Sequence, residues 1–94
     1  MKGIEWNEFV EHAYFGSDAF MRFHDKIYQI GGYYDNIYCI YVEQWSAKYE
    51  YIAEILKLTS ESNKDIWIQF LEAKIFDGKT IEEAGDDVKF LEWG

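Results

Sequence analysis

The sequence predicts a single α+β domain over residues 1–94: an N-terminal helix, a three- or four-stranded antiparallel β-meander, and C-terminal helices packed on one face. Three observations lead there. Apolar residues recur at helical spacing toward both ends of the chain, and at a period of two in its middle third. A fifth of the 94 residues are aromatic, which lets a short chain bury enough area for one core. The length allows one such core and not two.

The first helix is expected over residues 4–15, where Trp6, Phe9, Val10, Ala13 and Tyr14 form one stripe and Glu5, Glu8, Glu11 and His12 lie between them. Gly16 stands where a left-handed capping residue would end it, and Ser17-Asp18 continue the break. From Ala19 the alternation places Ala19, Met21 and Phe23 on one side and Phe20, Arg22 and His24 on the other. His24-Asp25-Lys26 reads as a tight turn into Ile27-Tyr28-Gln29-Ile30. Gly31-Gly32 allows a bulge or a close approach of backbone. Tyr34-Asp35-Asn36 supplies a second turn before the β-prone run from Ile37 to Val42.

Residues 49–58 fit two templates. Tyr49, Ile52, Ala53 and Leu56 match a helix, whereas Tyr49, Tyr51, Ala53 and Ile55 make one face of a strand opposite Glu50, Ile52, Glu54 and Leu56. A fourth strand is favoured, because Trp45-Ser46-Ala47-Lys48 can serve as a hairpin loop. Ser62 or Asn63 then caps a helix carrying Ile66, Trp67, Phe70, Leu71 and Ala73, which Asp77-Gly78 ends. Thr80 and Glu83 have capping-box spacing, Gly85 confines the helix after them to one or two turns, and 88–93 reads as a closing strand.

Nine basic residues against 18 acidic ones leave a net charge of −9, with Arg22 the one arginine. Phosphate backbones are held chiefly by lysine and arginine, so direct binding to nucleic acid or an anionic membrane is disfavoured and a basic protein partner is favoured. Cys39 is the single cysteine, so no internal disulfide can form, and the chain shows neither a signal peptide nor an apolar stretch long enough to span a bilayer. The expected compartment is the cytoplasm.

No catalytic kit emerges. His12 falls on the polar side of a helix and His24 at a turn, without the additional ligands that a metal centre requires. Cys39 lacks a basic neighbour to lower its pKa and reads as a packed thiol. Neither a phosphate-binding glycine loop nor a calcium loop is present, so no metal or other cofactor is expected. The paired acids Glu82-Glu83 and Asp86-Asp87 read as solvated faces.

What remains is surface chemistry. A meander covered on one face leaves aromatic rings on the other, and tyrosine and tryptophan are enriched where proteins bind one another. Carboxylates on a rigid surface can also imitate a phosphate backbone. The segment Phe70-Leu71-Glu72-Ala73-Lys74-Ile75-Phe76-Asp77-Gly78-Lys79-Thr80-Ile81-Glu82-Glu83 resembles the C-terminal part of short uncharacterised proteins of low-GC Gram-positive bacteria and their phages. That resemblance implies a mobile-element or accessory setting and names no activity.

The expectation is a non-enzymatic protein-binding module, an acidic inhibitor of a nucleic-acid enzyme in the manner of an anti-CRISPR protein. Glu82, Glu83, Asp86 and Asp87 would supply charge, and Tyr33, Tyr34 and Trp45 the aromatic anchors. The alternative is a structural or regulatory domain that forms a homodimer through a sheet edge or the exposed aromatic face.

Overall fold

The computed structural model describes residues 1–14 and 17–94, with residues 13 and 14 described by their backbone alone. The chain runs α1 (Trp6–Tyr14), β1 (Ala19–Phe23), β2 (Lys26–Tyr34), β3 (Tyr38–Ser46), β4 (Tyr51–Ser60), α2 (Asn63–Glu72), α3 (Ile81–Ala84), a single 3₁₀ turn (Gly85–Asp87) and β5 (Val88–Trp93). The architecture is α+β, as the sequence predicts. Its sheet is larger than the expected meander: five antiparallel strands in the order β4-β3-β2-β1-β5. The first four strands form the meander, and β5 returns to pair with β1, Val88 opposite Phe23 and Trp93 opposite Ala19. The reading of Gly16 as the cap of α1 falls outside the described residues.

Strand alternation decides where the core lies. Ala19, Met21 and Phe23 of β1, Tyr28 and Ile30 of β2, and Ile40 and Val42 of β3 are all buried on one face. The helices cover that face with Phe9 from α1, Ile66, Trp67 and Phe70 from α2, and Ile81 and Ala84 from α3. The ring of Trp6 stacks on Phe70 at 6.1 Å, joining α1 to α2 across the helix layer. Each fully buried side chain of this size removes about 1.5–3 kcal/mol worth of apolar surface from water, which makes this shared face the main source of stability.

Residues 51–60 form a strand, but not the regular one expected. Val42 pairs with Leu56 and Glu43 with Glu54, so Ile55 is an extra residue; Gln44 pairs with Ala53 and Trp45 with Tyr51, so Ile52 is another. Two irregularities break the simple alternation and explain why a helical template fits the same segment.

The second helix also stops earlier than the sequence suggests, at Glu72 rather than near Asp77, with Ala73 as its C-cap. Its start follows the expectation, because the Ser62 hydroxyl accepts from the Asp65 amide. Phe76 explains the early stop. It is fully buried between Phe23 and Tyr28, with ring centroids at 5.3 and 5.1 Å, while the Tyr28 hydroxyl donates to the Ile75 carbonyl at 3.0 Å. The chain leaves the helix to deliver that ring. The capping box at Thr80 and Glu83 forms as predicted, and Gly85, at φ 57°, closes α3 after four residues.

Candidate functional site

The helix-free face of the sheet is not bare. Ile27 and Cys39 are buried there, outside the main core, and Tyr41 lies across the Gly31 backbone of the neighbouring strand. Gly31 thus serves the close approach anticipated for the glycine pair, and β2 and β3 pair without a bulge. The Tyr41 hydroxyl donates to Asp18 Oδ1 at 2.6 Å, and Gln29 Nε2 donates to Asp18 Oδ2 at 2.7 Å. Burial, followed by the Asp18 hydrogen bond, pushes the Tyr41 phenol far above its usual range, so it remains a proton donor at any physiological pH. These three side chains form a fixed polar bridge rather than a reactive set.

The acids group differently from their order in the sequence. The β1–β2 turn puts His24, at φ 56°, beneath two carboxylates: Asp77 Oδ2 lies 3.7 Å from Nδ1 and Asp87 Oδ2 lies 3.6 Å from Nε2. Its ring stacks on Phe23 at 4.1 Å. Lys26 Nζ donates to Asp77 Oδ1 at 3.0 Å, and this contact raises the lysine pKa while lowering that of the carboxyl. Asp25 and Asp86 are the exposed sequence neighbours of His24 and Asp87. Carboxylates from three separate segments therefore meet at one end of the sheet, with His24, Lys26 and Lys79 among them. The carboxylates and His24 are solvent-exposed and Lys26 is partly so, so each pairwise attraction is weak and the end remains a negative surface.

The two imidazole nitrogens address different carboxylates, so the arrangement is not a converging ligand set. Among the described residues no group of His, Cys, Asp and Glu has the geometry to hold a metal ion. Sequence reading treats Asp77 as a helix stop and His24 as an isolated surface residue. What joins them is the burial of Phe76 beside Phe23, which no local pattern reveals.

The anticipated contact residues fall into three places. Glu82 and Glu83 lie on α3, and Asp86 and Asp87 on the 3₁₀ turn after it, so these four stay together at the acidic end. Glu83 is tied into the cap, where hydrogen bonds from Thr80 lower its carboxyl pKa. Trp45 sits at the same end, since β3 places it opposite Ile27 and its neighbour Ser46 opposite Lys26, but on the helix-free face. There it packs against Tyr51 at 5.4 Å, and its buried indole N–H has no hydrogen-bond partner among the described residues. Tyr49 and Tyr51 are half exposed beside it. Tyr33 and Tyr34 lie at the opposite tip, six residues along β2 from Ile27, or about 20 Å. They are 46% and 63% exposed, at the opposite end of the sheet from the acids.

A cleft of about 330 Å³ opens between the N-terminal segment and α2–α3. Ile4, Trp6, Leu71 and Ile81 give it apolar walls, and Glu5 and Glu82 place two carboxylates on its lining. An aliphatic stem ending in a cation, as in lysine or arginine, suits that combination. Among the described residues, no helix is long and apolar enough to cross a membrane. No protein-family model, curated protein or solved structure matches the chain.

Proposed function

We propose that this domain is a non-catalytic protein-binding module that presents its acidic end to the basic groove of a nucleic-acid-binding protein, in the manner of a mobile-element inhibitor. The observation that carries the reading is the convergence of Asp77 and Asp87 on His24, with Asp25, Asp86, Glu82 and Glu83 exposed around them. Carboxylates carried on three different segments are displayed together at one end, as a competitor of a phosphate backbone must display them. The cleft beside Glu82 offers a seat for one basic side chain, and Trp45, Tyr49 and Tyr51 supply aromatic area around the corner. Charge orients the approach and supplies the salt-sensitive part of the affinity, and the aromatic area adds to it. The cytoplasm suits a domain whose single thiol is buried and free.

The test is a capture experiment at two salt concentrations with a nucleic-acid readout. The purified domain should retain a basic partner at roughly 0.1 M salt and shed it at roughly 0.5 M, where screening shortens the reach of charge about twofold. The E82Q/D86N/D87N variant should lose that partner, and added domain should release nucleic acid from it. A partner held equally at both salt concentrations, or one that keeps its nucleic acid, would sink the reading. The alternative of a homo-oligomeric regulatory domain is supported by the uncovered edge of β4.

A further inference from the structure

The two edges of the sheet are treated differently. At β5 the N-terminal segment covers the first half of the edge: the Lys2 amide donates to the Val88 carbonyl at 2.9 Å, and the Phe90 amide donates to the Lys2 carbonyl at 2.8 Å. At β4 no strand lies outside, so the ten residues from Tyr51 to Ser60 form an edge unpaired by any described residue. Tyr51 and Ile52 are half exposed at one end of it. An edge of this length is a template for another strand unless something blunts it.

We propose that the strand it takes is β4 of a second copy, antiparallel about a two-fold axis, with Glu54 facing Lys57, Ile55 facing Leu56 and Ala53 facing Leu58 of the second copy. The register follows from the irregularity at Ile55. Residues directly opposite one another across such an axis must project from the same face of the sheet. In a regular strand, positions three apart project from opposite faces and could never be so paired. Here Glu54 pairs with Glu43 and Lys57 with Tyr41, and those two residues are alternate positions on β3. Glu54 and Lys57 therefore share the helix-free face. By the same reasoning Ala53, opposite Gln44, and Leu58, opposite Ile40, share the helix-bearing face.

Charge then selects this register over its neighbours. Centring the axis on Glu54 would set that carboxylate against its own copy, and centring it on Lys57 would oppose two ammonium groups. Like charges directly opposite in a ladder are destabilising, whereas opposite charges there are favourable. In the proposed register the Glu54–Lys57 pair occurs twice by symmetry. Ile55 and Leu56, both half-buried in the single chain, lose their remaining exposure between those pairs. The contact is self-complementary and closed, so it stops at two copies.

Sedimentation velocity over a wide concentration range, with far-ultraviolet circular dichroism on each variant, tests this directly. The wild-type chain should pass from monomer to dimer, and the β4 amides should exchange more slowly in the dimer. E54K and K57E should each weaken the dimer about tenfold, since two symmetry-related pairs change from attraction to repulsion. The exchanged pair E54K/K57E should recover wild-type affinity. A wild-type chain that stays monomeric throughout overturns the proposal. So does a dimer indifferent to both single reversals, or an E54K/K57E chain no tighter than either one.

Discussion

Gly31→Ala should be among the most damaging single-methyl additions in this chain, and the reason lies in the bridge above it. A methyl at Gly31 would stand 2.5 Å from Asp18 Oδ1 and closer still to Cζ and the hydroxyl oxygen of Tyr41. Nothing can remain in place at that separation. Either Tyr41 lifts from β2, breaking its bond to Asp18, or Asp18 withdraws and releases both Tyr41 and Gln29. Overpacking of this kind costs about 1–3 kcal/mol, and a lost hydrogen bond to a charged group adds about 1.5–3 kcal/mol when the site is dry. Tyr41 is only partly buried, which reduces the second figure, and the lower chain entropy of alanine offsets up to about 1 kcal/mol. The net is a loss of about 2 kcal/mol, which should lower the urea midpoint by about 1–2 M at the slope usual for a small domain. A double-mutant cycle then identifies the cause. If the Tyr41 ring is the obstacle, Gly31→Ala should cost much less when Tyr41 is already alanine. A midpoint within about 0.3 M of wild type, or equal costs in the two backgrounds, would refute the reasoning.

Three further outcomes follow from the same geometry. The phenols of Tyr41 and Tyr28 are held above their ordinary value, chiefly by burial, so the stability they contribute is complete below about pH 10 and falls as pH rises beyond it; urea midpoints between pH 8 and 11 should drop less steeply for Tyr41→Phe than for wild type. Phe76→Ala should cost about 3–5 kcal/mol by thermal or urea melting, since it empties a fully buried site between Phe23 and Tyr28. Thr80→Ala should cost about 1 kcal/mol by thermal melting, and the Glu83 carboxyl should rise only part of the way toward the usual glutamate range in an NMR titration, because the backbone N–H of residue 80, the larger cause of its lowering, still donates to it.

The fold was legible in the sequence wherever spacing along the chain encodes burial. Ala19, Met21 and Phe23 alternate and are buried; Ser62 and Thr80 carry caps at the anticipated places. What escaped depends on contacts between distant segments. The joining of β5 to β1 requires a partner more than sixty positions away, and no periodicity within residues 88–93 names it. The end of α2 was misplaced because Asp77-Gly78 is a good stop signal, whereas the demand for Phe76 in the core is invisible locally. The candidate surface suffered most. Carboxylates adjacent in sequence stayed adjacent, but Asp77 joined them only through Phe76 and His24, and Tyr33 and Tyr34 parted from Trp45 because they lie at opposite ends of the same hairpin.

The sheet separates the two proposals made for this chain. The edge formed by β4 lies four strands from β5, about 19 Å across the ladder. The acidic end is built on the β1–β2 turn and the segments flanking α3, on the β1–β5 side of the sheet. Exchanging Glu54 and Lys57 leaves the net charge at −9 and moves no residue of that end, so E54K/K57E should capture the same basic partner as the wild-type chain. Conversely, E82Q/D86N/D87N alters nothing at β4 and should dimerise as wild type does. If instead loss of the dimer in E54K also abolished partner capture, binding would depend on two acidic ends displayed together. A linked pair of weak sites binds far more tightly than either alone when both can engage, so the affinity lost would be that of the second site. The single reversals, compared with the exchanged pair, distinguish that case from a direct contact at β4, because only a dimer-dependent loss is recovered when both charges are exchanged.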